Sequence, residues 1–316
     1  MQHSHIIALA LAPIAMIHPS FAHADTPAEA HVSARLISET TALRAGSDST
    51  IGVSLTIAKD WHIYGDTFND TGMTPRFSWT VPQGVKVGEP IFPAPHRHVS
   101  PGDILDHIYE GTVTILFPVH VNASATIPKD ATLGVSVDLL VCSDACIPET
   151  ATASMPLAAL HDAASAEASK DAPLIVASRE RLPARVPSHK AVTKSTPTTL
   201  TLSVPRATSL TFYPATDIPT PINLIADGIA AKDALTIRFE APESETEIRR
   251  VRGLLEFTLP DSKKPVFVSI DEVLPPVKAV PVSPSTPSSS NPASSKSTPA
   301  SSAPSQPAQT PKTTSP

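Results

Sequence analysis

The chain has little of several things that define common protein classes. Its 316 residues include two cysteines, Cys142 and Cys146, and aromatic residues make up 4%. Lys and Arg form no dense cluster, and the formal net charge is −6. Binding nucleic acid requires grouped basic side chains facing phosphates, so that class is set aside. No Ser-His-Asp set, glycine-rich phosphate loop or zinc-type cysteine spacing stands out, and nothing calls for a cofactor. Beyond the N-terminus, no segment approaches the roughly 18 apolar residues of a membrane-spanning helix. The mature chain is therefore expected to be soluble, without stable membrane insertion.

The N-terminus carries a short apolar run, Ile6 to Ile17, interrupted by Pro13. Ala22-His23-Ala24 then offers a small-x-small cleavage site before Asp25. Residues 1–24 read as a secretory signal, although Met1 to His5 has histidines and no Lys or Arg. This predicts export to the periplasm. In an oxidising compartment two cysteines usually pair.

The 35 prolines are kept out of helix interiors and central strands, so loops, edges and unstructured stretches must hold many of them. Period-two alternation marks the strands of a first region, 28–160. Ile51, Val53, Leu55 and Ile57 share a face, as do Val113, Ile115, Phe117, Val119 and Val121. Leu133, Val135, Val137, Leu139 and Val141 do the same. Other strand candidates are 31–39, 76–81 and 85–91. Many short strands separated by turn signals predict a β-sandwich. Residues 161–197 read as a linker, with a short helix inside 163–181. Residues 198–273 alternate again, at Leu200, Leu202 and Val204 and at Leu235, Ile237 and Phe239, and predict a second, smaller β-sandwich-like domain. Residues 274–316, rich in Pro, Ser and Thr, read as a disordered tail. The fold class is all-β.

Cys142 follows a strand whose odd positions face the core, so it should point to the opposite face. A three-residue turn can bring Cys142 and Cys146 within the roughly 4.4–6.8 Å that Cα atoms of a disulfide require. So short a loop is a weak staple, because it removes little entropy from the unfolded chain. A chemical role for the pair is the better reading. Asp144 and Glu149 lie near it in sequence. Each could disfavour a thiolate or relay a proton, or be a turn residue and a solvated surface charge respectively. His62, His96, His98 and His107 flank the region, and Trp61, Tyr64, Trp79 and Tyr109 read as core or rim aromatics.

Several motifs in order resemble the N-terminal periplasmic domain of the DsbD/ScsB thiol:disulfide interchange family. They are Trp61-His62-Ile63-Tyr64, Asp70-Thr71-Gly72-Met73-Thr74-Pro75, Trp79, Pro82-Gln83-Gly84, Ile91-Phe92-Pro93-Ala94-Pro95, Tyr109-Glu110-Gly111 and Val141 to Glu149. Phe212-Tyr213-Pro214 is similar to an extension of ScsB type. The resemblance implies an immunoglobulin-like sandwich whose redox-active cysteines are Cys142 and Cys146, with Cys146 as the attacking group. It implies a cap over the pair, at about His96 to His107. It also implies protein partners: a thioredoxin-like or membrane reductant upstream, and periplasmic client oxidoreductases downstream. The membrane and thioredoxin-like domains of the family are not seen in the sequence, so electrons would come from a separate protein.

Two other readings stand beside this one. Copper-delivery proteins of the Sco type also carry C-x3-C followed by proline and a distant histidine. Here Ile147 separates Cys146 from Pro148, and the strand pattern does not fit their αβ fold. A non-catalytic β-sandwich adaptor with a structural disulfide is the third reading.

Overall fold

The computed structural model describes residues 30–278, apart from 47, 129, 158, 161–166 and 184–190. The signal-like stretch 1–24 and residues 279–316 of the tail-like stretch lie outside the described residues.

The first half runs β1 (Val32–Ser38), β2 (Leu43–Arg44), β3 (Asp48–Ile57), β4 (His62–Tyr64), β5 (Arg76–Thr80) and β6 (Val85–Val87). It continues with β7 (His96–Ser100), β8 (Ile104–Glu110), β9 (Thr112–Val121), β10 (Thr132–Cys142), β11 (Cys146–Pro156) and β12 (Ala159–Leu160). Then come α1 (Ala172–Glu180), β13 (Val192–Thr196), β14 (Thr199–Ser203), β15 (Ser209–Pro214) and α2 (Leu224–Asp227). The order ends with β16 (Ile229–Ala230), β17 (Ala234–Arg238), β18 (Arg249–Thr258) and β19 (Val266–Leu274).

Two sheets form the first sandwich. One is ordered β1-β3-β9-β6; the other is β11-β10-β4-β8-β7, with β5 also paired to β10. The alternating runs of β3, β9 and β10 meet between them. Ile51, Val53, Leu55, Ile115, Phe117, Val119, Leu133, Val137 and Val141 are buried in one cluster. This is the expected all-β, immunoglobulin-like arrangement, with period-two side chains filling the space between two sheets. The opposite face of the first sheet is covered by α1. Ile175 packs on Ile37 and Leu116, and the Ser178 hydroxyl donates to the Thr114 carbonyl at 2.7 Å. Pro173 in the first turn of α1 sits where its missing N–H costs nothing.

The later strands form two further sheets, β13-β14-β17 and β16-β15-β18-β19, around a second cluster. Leu200, Leu202, Leu235, Ile237, Val251, Leu255 and Phe257 are buried there. One member of that cluster comes from the first sandwich: Leu105 of β8, 1% exposed. Phe68 packs on the same cluster, its N–H donates to the Pro214 carbonyl at 2.8 Å, and Thr67 bridges Ala215. Arg97 of β7 donates to the Ile225 carbonyl at 2.8 Å. The β7–β8 hairpin is thus shared: its strands belong to one sandwich, and Leu105 fills the core of the other.

This sharing has a measurable cost. Leu105→Ala should destabilise the protein by about 3 kcal/mol in urea denaturation, the scale for emptying a buried leucine site. Val99→Ala, on the same hairpin but 40% exposed, should change stability by no more than about 0.5 kcal/mol. Equal small effects would mean that Leu105 does not anchor the hairpin.

Candidate functional site

β10 and β11 form an uninterrupted antiparallel ladder from Thr132↔Pro156 to Cys142↔Cys146. The two cysteines are therefore directly opposite at its end, and they form a disulfide. Their Cα atoms are 4.1 Å apart. That is slightly shorter than the expected range and near the shorter of the two spacings that alternate along an antiparallel ladder, about 4.5 Å. On its other side Cys142 pairs with His62 of β4.

The two sulfur-bearing residues have different surroundings. Cys142 points away from the main core, as its position in the strand requires, but that face is covered. It is 2% exposed and packs with Tyr64, Ile108 and Leu140. Cys146 is exposed, at the start of an edge strand. Ser143, Asp144 and Ala145, which form the turn between them, are exposed too. The β7–β8 hairpin, which spans the segment implied as a cap, leaves Cys146 open to solvent. Its His98 ring lies 5.9 Å from the ring of His62.

A line of polar groups runs from the exposed sulfur inward. The Tyr64 hydroxyl is 3.6 Å from Cys146 Sγ and 3.3 Å from Thr71 Oγ1. Thr71 donates twice to Asp106: its hydroxyl to Oδ2 at 2.6 Å and its N–H to Oδ1 at 2.9 Å. Asp106 is 3% exposed. Gly72 takes a φ of +71°, and a Cβ there would collide with the Tyr64 ring, so glycine lets this loop lie against the tyrosine. Burial raises the pKa of Tyr64 above the usual phenol value. Burial, and then the neighbouring His98, lower that of His62.

Other residues singled out in the sequence are placed elsewhere. Glu149 is neither near-site relay nor free surface charge. Its carboxylate accepts from the N–H groups of His31 and Val32 at 3.1 Å and meets His31 Nδ1 at 2.5 Å. It pins the start of β1 to β11, and Trp61 stacks on His31 at 3.8 Å. Trp79 and Phe117 meet edge to face in the core at 4.9 Å. Tyr109 is buried, its hydroxyl donating to the Pro93 carbonyl at 2.5 Å. Of the four histidines His62 and His98 alone come near each other; His96 and His98 are exposed on β7, whereas His107 is fully buried on β8. Among the described residues, no group of three or more His, Cys, Asp or Glu is placed to hold a metal ion. Tyr64, set aside as a core or rim aromatic, proves to be the closest hydroxyl contact of the exposed sulfur. Asp70-Thr71-Gly72 entered as part of a family motif, with no role assigned, and Asp106 carried no signal of its own.

A family model described as thiol:disulfide interchange protein DsbD, N-terminal, matches residues 33–158. Those residues, less than half of the chain, match the DsbD N-terminal family. The matched segment holds the disulfide, Tyr64, Thr71 and Asp106, so the DsbD-type domain contains the whole site. Among solved structures, the chain is similar to the N-terminal periplasmic domain of ScsB from Proteus mirabilis. That likeness has 16% identity, covers 78% of this chain and 92% of that one, and has a TM-score of 0.49. The periplasmic chaperone SfaE is similar at 9% identity over 77% of this chain and 97% of that one, with a TM-score of 0.19. BcpA, the major pilin subunit of Bacillus cereus, is similar at 9% identity over 76% and 66%, with a TM-score of 0.24. No curated protein matches the chain. The family resemblance rests on the match over residues 33–158.

Beside the site, His107 ties the DsbD-type domain to the later strands. Its Nδ1 meets the Phe68 carbonyl at 2.6 Å, its ring meets Tyr213 edge to face at 5.2 Å, and its Nε2 is buried without a hydrogen-bond partner. Burial lowers its pKa from 6.5 to about 4. Above pH 6.5 the ring is neutral in both folded and unfolded chains. Below it the unfolded chain takes up a proton that the folded one resists. Stability should therefore fall between about pH 6.5 and pH 4, by roughly 3 kcal/mol in all. His107→Asn can keep the donor to Phe68 but cannot titrate. Denaturation across this window should show a shallower fall for the variant; parallel curves would contradict the assignment.

Proposed function

We propose that this chain is a periplasmic thiol–disulfide interchange protein that carries two electrons between a membrane-side reductant and client proteins. In this reading residues 28–160 are the redox domain, 161–197 join it to a second β-domain at 198–273, and Cys142 and Cys146 are the redox-active pair. The observation that carries it is the asymmetry of the disulfide, with one cysteine exposed and the other covered. The match of residues 33–158 to the DsbD N-terminal family supports it, and the signal-like stretch 1–24 supports export.

Exchange proceeds by attack of a thiolate on a disulfide sulfur. A donor thiolate attacks Cys146 Sγ. The Cys142–Cys146 bond breaks, and its electron pair leaves on Cys142 Sγ, which takes up a proton. The donor's second thiolate then attacks the donor sulfur of the mixed disulfide and releases Cys146 as a thiolate. The donor has lost two electrons and the pair has gained two. Toward a client the order reverses: Cys146 attacks the client disulfide, and Cys142 resolves the mixed disulfide. In each half-reaction the partner meets only the exposed sulfur. Cys142, at 2% exposure, resolves from within the protein.

Single-cysteine variants purified from the periplasm test this. Cys142→Ser keeps the reachable thiol and loses the resolving one, so it should accumulate covalently bound partners on non-reducing gels. Cys146→Ser keeps only the covered thiol and should capture at least about tenfold less. Equal capture by the two variants, or capture by neither, would remove the exchange role and leave a structural disulfide in an adaptor.

A further inference from the structure

The polarity of the hydrogen bonds at Tyr64 is set two residues away from the sulfur. A carboxylate only accepts hydrogen bonds. Both Asp106 oxygens are engaged by Thr71, so the one hydroxyl hydrogen of Thr71 is committed to Asp106 Oδ2. Toward Tyr64, Thr71 Oγ1 can then only accept. The Tyr64 hydrogen has two acceptors within reach, Thr71 Oγ1 at 3.3 Å and Cys146 Sγ at 3.6 Å. Burial keeps the Tyr64 hydroxyl protonated, so it remains a donor. A hydrogen bond to a charged acceptor is stronger than one to a neutral acceptor. The donor can therefore rest on Thr71 while the disulfide is closed and turn to the sulfur when a thiolate forms.

We propose that Asp106 is a positioning residue for the exchange chemistry: by holding the Thr71 hydroxyl to itself, it makes Thr71 a competitor for the Tyr64 hydrogen and so restrains the stabilisation of the Cys146 thiolate. This rests on the reading of Cys146 as the attacking sulfur. Asp106 touches neither sulfur directly; its influence passes through two hydroxyl groups. A protein that must hold electrons for a chosen client benefits from such restraint, because a less stabilised thiolate is more reducing.

The substitution Asp106→Asn separates this relay from simple charge. The amide oxygen can still accept from the Thr71 N–H, and the amide N–H can donate to Thr71 Oγ1. The Thr71 hydroxyl is then turned toward Tyr64, whose own hydrogen is left for the sulfur alone. Removing a buried negative charge would also favour a thiolate, so the variant must be read in two backgrounds. The other ionisable groups around the cluster are His62 on β4 and His107 on β8, which feel the Asp106 charge, His98 on β7 and Glu110 on β8, which act on His62, and Asp70, whose carboxylate accepts from the Leu105 N–H; all stay unchanged.

The experiment uses the full chain carrying Cys142→Ser, reduced, with the alkylation rate of Cys146 followed against pH. Asp106→Asn should lower the midpoint of that profile by about one pH unit, a tenfold change in the ionisation equilibrium. In a Tyr64→Phe background the same substitution should move the midpoint by less than about 0.3 unit, because the relay is already cut. Thr71→Val, at an exposed position, removes the competitor but keeps the Asp106 charge, and should also lower the midpoint. It decides the question if Asp106→Asn does not fold. An equal shift with and without the Tyr64 hydroxyl would make Asp106 a charge effect and overturn the proposal. So would the absence of any shift, or a rise in the Thr71→Val chain. Alkylation needs no protein partner, so failure here and failure to capture partners are separate results.

Discussion

The register of β10 against β11 is the constraint on which the site depends. Eleven consecutive pairs lead from Thr132↔Pro156 to Cys142↔Cys146. A slip of one residue would set Ala145 or Ile147 opposite Cys142 and would turn every core side chain of β10 outward. The buried row Leu133, Val135, Val137, Leu139 and Val141 therefore holds the cysteines in place. The disulfide closes only the turn from Ser143 to Ala145, so it adds little to the ladder. Cause runs from the hydrophobic core to the sulfurs, and a pair placed in this way can open and close without the sandwich depending on it.

The ladder's position in the sheet then gives the pair its two faces. β10 is internal, with β11 on one side and β5 and β4 on the other, whereas β11 is an edge. Cys142 inherits the shelter of the internal strand, and Cys146 the openness of the edge. Tyr64 enters from β4 beneath the exposed sulfur, held by Gly72, Thr71 and Asp106. The β7–β8 hairpin beside the site is tied by Leu105, Arg97 and His107 to the later strands. The second set of sheets thereby braces an element that borders the disulfide, and motion of that hairpin would have to disturb a packed core.

Much of this was legible in the sequence wherever one face of a strand is buried and the other is not. The odd positions of β3, β9, β10 and β17, and the even positions of β14, declared themselves through alternation. The sidedness of Cys142 followed from the same count. β11 was not legible: its Cys-Ile-Pro-Glu-Thr-Ala-Thr-Ala-Ser-Met-Pro sequence has two prolines and a mostly exposed pattern, as suits an edge strand but hides it from a periodicity reading. β8 was hidden for the opposite reason. Both of its faces are covered, so five successive residues are buried and no alternation survives. The functions of Tyr64 and Glu149 depend on contacts 82 and 118 residues apart, which local pattern cannot show. The family motifs brought Tyr64 into view without assigning it a task.

The central claim is that the Cys142–Cys146 bond is a working disulfide, not a structural one. Its midpoint potential tests that claim most directly. The full chain would be equilibrated in graded glutathione and dithiothreitol buffers, and the free thiols counted by alkylation and mass. A reversible two-electron transition between roughly −180 and −270 mV, the range of proteins that exchange electrons through dithiols, is the predicted result. A pair that stays oxidised below about −300 mV would behave as structural disulfides do and would contradict the account.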